Sequence, residues 1–134
     1  MRRHLVALIA IIGLAGGVLL ASCSNTDDSN DRGLGSRNTR VGEVEIVVEL
    51  RRLDDSAEFY VTLETHSGSL DVDLERSLLS VGGTDWPGPT WEGDGPGGHH
   101  REGTLRFDAE APSDGDVRLS LGGLGDEMVL TWEQ

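Results

Sequence analysis

From residue 44 to residue 132, apolar and polar side chains alternate mostly with a period of two. Val44, Ile46, Val48 and Leu50 alternate with Glu43, Glu45 and Glu49, with Val47 interrupting the pattern. Phe59, Val61, Leu63 and Thr65 alternate with Glu58, Tyr60, Thr62 and Glu64, and Leu70, Val72 and Leu74 with Asp71, Asp73 and Glu75. The same period runs through Leu105 and Phe107, through Val117, Leu119 and Leu121, and through Met128, Leu130 and Trp132. A short apolar segment, Leu78 to Val81, makes a seventh candidate. Side chains on a strand point alternately to its two faces, so each segment reads as a strand with one apolar and one polar face.

About seven such strands, broken by Gly, Asp and Ser and accompanied by no helical stripe, predict an all-β domain. Two antiparallel sheets packed face to face are the expected form, as an immunoglobulin-like or related Greek-key sandwich. A small β-barrel is the alternative. The spacing fails once, from Gly82 to Gly103. These 22 residues hold eight glycines, three prolines (Pro87, Pro89, Pro96) and the indoles of Trp86 and Trp91. Structureless loops beyond ~12–15 residues are usually functional or disordered. Two tryptophans favour order, either as a lid on the sandwich or as a wall for a ligand.

The first 40 residues do not share the pattern. Met1 to His4 is basic, and Leu5 to Leu20 carries no charged or hydrogen-bonding side chain. That run is 16 residues long, short of the ~20 that span a bilayer. It is followed by Leu20-Ala21-Ser22-Cys23, which resembles the lipobox of bacterial and some archaeal lipoproteins. The resemblance implies a signal peptide over residues 1–22, cleavage before Cys23, and a diacylglycerol thioether on its sulfur. Membrane attachment would then run through the lipid on Cys23, at the extracytoplasmic face, without a spanning helix. Arg2-Arg3 also resembles the start of a twin-arginine export signal. Residues 24–40 are polar, with Leu34 the one aliphatic residue, and read with Cys23 as a flexible tether. The sandwich domain is expected over 41–134.

Charge narrows the partners. Beyond the leader, 24 acidic residues face nine arginines and no lysine, a net of −15 with histidines neutral. Nucleic acid and bare anionic headgroups are repelled by such a chain. Cys23 is the sole cysteine, so the domain has neither a disulfide nor a thiolate for a blue-copper centre.

Three histidines remain after the leader: His66, His99 and His100. All sit at strand ends, where loops build binding sites. If those ends share a pole, three imidazoles suit zinc or copper. Against this, adjacent residues on an extended strand face opposite ways, so His99 and His100 need a turn at Gly97-Gly98 to share one ion. In a plainer alternative the histidines are surface groups and Arg101 pairs with Glu64, Asp71 or Asp94. "THSGSLDVDL" and "GPGGHHREGTLRF" resemble segments of secreted and lipid-anchored bacterial and archaeal proteins, which implies that the three histidines belong to one site.

Other patterns fall away. Gly93, Gly95 and Gly98 have dinucleotide-loop spacing, but no strand-to-helix context surrounds them. Asp54-Asp55 and Asp71/Asp73 have no apolar enclosure that would make a glycosidase pair. Calcium at Asp71, Asp73 or Asp94 lacks an EF-hand pattern. A Ser67–His66 nucleophile lacks an acid partner.

The sequence therefore predicts a binding domain without catalysis. Its expected site is a pole of His66, His99, His100 and Arg101, walled by Trp86 and Trp91, for a small polar ligand or a divalent metal such as copper or zinc. A structural or adhesion module meeting an envelope protein or polymer is the rival. A hydrolase using a His-bound metal is a third.

Overall fold

The computed structural model describes residues 34–109, 114–125 and 128–134. The leader, Cys23 and most of the expected tether lie outside the described residues.

The alternation produces nine strands among the described residues: β1 (Ser36–Val41), β2 (Val44–Leu53), β3 (Ser56–Thr65), β4 (Leu78–Val81), β5 (Thr84–Asp85), β6 (Thr90–Gly93), β7 (His100–Asp108), β8 (Val117–Ser120) and β9 (Val129–Trp132). Every pairing is antiparallel. Two sheets result, ordered β1-β2-β3-β7-β6 and β5-β4-β8-β9. Neither closes into a barrel. The order β3-β7-β6 against β5-β4-β8-β9 matches strands B-E-D against C′-C-F-G of an immunoglobulin-like Greek key, with β2 in the place of strand A.

The inward sets pack as the period demands. Ile46, Val48, Phe59, Val61, Leu105, Phe107, Leu119 and Trp132 are buried between the sheets. Phe59 is the hub: its ring meets Phe107 edge-on at 6.0 Å and Trp132 at 5.4 Å. Such aromatic pairs add ~0.5–1.5 kcal/mol beyond their area, in a core that has no disulfide to help it. The β2–β3 turn is tied by Asp54, whose carboxylate accepts from Arg52 Nε at 2.8 Å and from the Ser56 amide at 3.0 Å. These two bonds, the arginine's first, hold its carboxyl well below the usual carboxylate range.

Three departures from the sequence expectations have physical causes. Ser36–Arg40, assigned to the tether, belong to β1. An edge strand needs backbone partners more than an apolar face, so its polar composition hid it. It also stitches the sheets together. The Gly35 carbonyl accepts from Leu50 N at 3.2 Å and Trp132 Nε1 at 2.7 Å, and Arg37 Nε donates to the Thr131 carbonyl at 3.0 Å. The 22-residue loop contains β5, β6 and the first residues of β7, too short or too glycine-rich to show a period. Leu70–Leu74 is not a strand. It crosses the end of the sandwich and closes in a 3-10 turn, Leu74–Arg76.

Trp86 lies in the crossover from β5 to β6 and is buried, its amide bonded to the Leu79 carbonyl at 2.9 Å. It plugs the gap between the sheets on that side and walls no site. Its indole Nε1 has no hydrogen-bond partner; packing alone holds it.

Candidate functional site

The loop pole is built by a cap. Leu70, Val72 and Leu74 point into the core, while Asp71, Asp73 and Glu75 face solvent. The alternation thus marks burial correctly for a segment that has no ladder. Its hydrogen bonds go elsewhere. Gly97 and Gly98 take φ of 108° and 71°, values open to glycine at little cost. The turn they make lets the Gly98 carbonyl accept from Leu70 N at 3.0 Å, Gly97 N donate to the Leu70 carbonyl at 3.1 Å, and the His99 carbonyl accept from Thr65 N at 2.9 Å.

Arg101 completes the cap from below. It pairs with Leu63 in the register of β7 on β3 and, like Leu63, is buried. Its Nη1 donates to the carbonyls of Leu70 at 3.1 Å and Val72 at 2.7 Å, and its Nε to the Asp94 carbonyl at 3.3 Å. The expected ion pairs with Glu64, Asp71 or Asp94 are not formed. The guanidinium replaces a missing neighbour strand, donating to carbonyls that a ladder would have satisfied. Its carbon Cζ lies 5.6 Å from the centre of the Trp91 ring, within cation–π range. Trp91 Nε1 donates to the same Asp94 carbonyl at 2.8 Å. The indole lies over Gly93 and Gly103, which face each other across β6 and β7. A Cβ on either would stand within 2.9 Å of Trp91 Cζ2, so these two glycines are there for space.

The histidines do not gather. His100 is on the opposite face from Arg101, as the period of two requires. Its Nδ1 lies 3.1 Å from Glu64 Oε1 and its Nε2 3.5 Å from Glu102 Oε2. These carboxylates, Glu64 first, raise its pKa above the ordinary histidine value. His66 and His99 are exposed, and His99 serves the fold through its backbone carbonyl. Among the described residues no group of three or more His, Cys, Asp or Glu is placed to hold a metal ion. The Gly97-Gly98 turn brings backbone carbonyls to Leu70 and Thr65 rather than imidazoles to one point.

What the pole does offer is an open cleft of ≈ 330 Å³. Its floor is Val72, Leu74 and Arg101, its wall Trp91 with Gly95 and Pro96, and its rim the carboxylates of Asp71, Asp73 and Glu75. None of the three carboxylates has an ion-pair partner among the described residues. Of the expected site residues, Arg101 and Trp91 line this cleft. His66, His99, His100 and Trp86 do not. Sequence reasoning passed over the acidic rim, because Asp71 and Asp73 looked like the outward face of an ordinary strand.

Fold and site together define an immunoglobulin-like sandwich domain with an acidic, Trp-walled cleft at one pole. No family model matches the chain, and no curated protein matches it. Among solved structures it is similar to the 1.5 Å crystal structure of a secreted protein of Mycobacterium tuberculosis, MPT63. The identity is 17% and the TM-score 0.47, over 75% of this chain and 92% of that one. Among the described residues no helix is long and apolar enough to cross a membrane.

Two predictions follow from the geometry. Arg101→Met keeps much of the stem but takes the donor from the Val72 carbonyl and leaves the Leu70 carbonyl only its bond from Gly97 N; it should lower stability by about 1–3 kcal/mol in urea unfolding. A loss below about 0.5 kcal/mol would show that the cap does not depend on the guanidinium. In an NMR titration His100 should gain its proton above the ordinary histidine pH, and Glu64→Gln should bring it down. Since its folded pKa is raised, any stability from this pair is present below about pH 6.5, the unfolded value, and lost as pH rises through the folded one. An unchanged His100 titration in Glu64→Gln would remove that partner.

Proposed function

We propose that this protein is a lipid-anchored, extracytoplasmic binding domain, without catalysis of its own. Its cleft holds the cationic group of a small polar ligand. The observation that carries this is the set of carboxylates of Asp71, Asp73 and Glu75 around the Trp91 wall, none ion-paired among the described residues. Rim carboxylates draw an amine or guanidinium toward the cleft, and the apolar floor accepts the alkyl part of such a ligand. The attraction is modest, about 1 kcal/mol per contact at 4 Å in bulk water, which fits reversible capture. The buried Arg101 would face an anionic group on the same ligand. Copper and zinc remain weaker candidates on this reading, since the imidazoles stand apart.

The anchor rests on the Leu20-Ala21-Ser22-Cys23 lipobox. β1 runs toward the loop pole, from Ser36 opposite Glu49 to Val41 opposite Val44. The chain therefore enters β1 from the half of the domain opposite the cleft, which leaves the cleft clear of the attachment.

The test is calorimetry on the full chain in detergent micelles, with putrescine and Zn²⁺ as probes. Putrescine should bind, weakened about tenfold or more by Asp71→Asn/Asp73→Asn, as expected for lost ionic contacts, and unchanged by His66→Ala. Silence toward putrescine, with stoichiometric Zn²⁺ binding abolished by His66→Ala and by His99→Ala/His100→Ala, would replace the cleft reading with the metal one. Separately, Cys23→Ser should move the protein out of the membrane fraction; retention there would end the lipid-anchor proposal.

A further inference from the structure

The two outward sheet faces differ in kind. The five-stranded sheet presents Glu49, Arg51, Glu58, Glu64, His100, Glu102, Arg106 and Asp108, many of them ion-paired to one another. On the four-stranded sheet, residues in direct cross-strand register share a face, so its outward positions form two rows. One row is Leu78, Ser120 and Val129 across β4, β8 and β9; the other is Asp85, Ser80, Arg118 and Thr131 across β5, β4, β8 and β9. Among these seven residues there is one cation and one anion, and neither is ion-paired among the described residues. Leu78 is 67% exposed and Val129 43%, two of the three large apolar side chains left in solvent among the described residues.

We infer that this face binds a second copy of the same chain. A chain of net charge −15 beyond its leader repels its own copies over most of its surface, and this face is where that repulsion is least. It is also complementary to itself. A two-fold axis lying in the interface along β4 maps β5 of one copy over β8 of the other. Asp85 then meets Arg118 of the second copy, twice, while Leu78 meets Leu78 and Ser80 meets Ser80. An axis parallel to the strands keeps the same pole of both copies on the same side. Two tethers can therefore reach one membrane.

The size of the face sets the strength. Three strands of four residues and one of two, at ~3.3 Å per residue and ~4.8 Å between strands, cover roughly 220 Å², far below the ~800 Å² per partner of a stable complex. The pairing is transient, and it gains from the high effective concentration of chains confined to a surface; that last gain rests on the proposed lipid anchor.

Facing sheets stand ~10 Å apart, beyond the reach of a disulfide, so the test uses a short bis-maleimide on the full chain in its host membranes. Ser80→Cys should yield a cross-linked dimer several-fold more than Thr62→Cys, which lies on the five-stranded sheet, and the unmodified sequence should yield none. Adding Arg118→Glu should suppress the Ser80→Cys product by setting acid against acid. Adding Asp85→Arg as well should restore it, since both contacts are then re-formed with their charges exchanged. Equal cross-linking of Ser80→Cys and Thr62→Cys, no product from either, or no effect of the charge reversal would overturn the proposal. Membrane levels of each variant, read by immunoblot, separate a lost contact from a lost protein.

Discussion

The loop pole depends on one buried cation. An extended cap crossing the end of a sandwich has carbonyls on its inner side and no strand to serve them. Orphaned buried carbonyls are costly. Arg101 supplies N–H groups to Leu70 and Val72 from beneath, and to Asp94 from the side. A guanidinium suits this because it is planar, always charged and rich in fixed donors. Lysine would offer a point charge and a less defined fork. Because the partners are carbonyl dipoles, not carboxylates, the acids of the rim are left without an ion-pair partner among the described residues. The cap is held by one positive charge, and its outer face remains negative.

The surrounding oddities of sequence serve the same cap. Gly97 and Gly98 turn the chain so that backbone groups meet Leu70, and Gly93 and Gly103 clear the ground on which Trp91 lies. Trp91 in turn lies beside Arg101 and shares the Asp94 carbonyl with it. The adjacent histidines follow from this construction. His99 closes the turn through its carbonyl, and His100, the first residue of β7, faces outward into Glu64 and Glu102. Their neighbourhood in sequence reflects the end of a turn and the start of a strand.

This also explains which parts of the molecule were legible beforehand. Period two reports burial, and burial was read correctly from Ile46 to Trp132, including Leu70, Val72 and Leu74. It does not report pairing, and so a cap can carry strand-like alternation without a ladder. Edge strands are silent in the other direction. β1 has the polar makeup of a linker because one of its faces meets little, and β6 is one indole with threonine, glutamate and glycine. For the site, the rule that neighbours on a strand oppose one another, raised against His99 and His100 sharing an ion, also separates His100 from Arg101, which the sequence reading placed in one pole. What pattern alone does not carry is the third dimension of a loop: that Asp71, Asp73 and Glu75 would ring a cleft walled by a tryptophan twenty residues further on.

Charge then connects the parts. A small domain with so many carboxylates repels its own copies, and it distributes them unevenly. On the five-stranded sheet they are neutralised locally, by arginines on the same or the next strand. At the pole they are left unpaired, where a cationic group gains most from them. On the four-stranded face they are nearly absent, and Asp85 and Arg118 stand two strands apart with Ser80 between, without an ion pair to each other. An unpaired carboxylate set attracts a cation, while a balanced but unpaired couple is best answered by its own mirror arrangement. The two surfaces thus call for different partners. Because one lies at the end of the strands and the other on their side, a ligand in the cleft and a second copy on the sheet occupy separate ground.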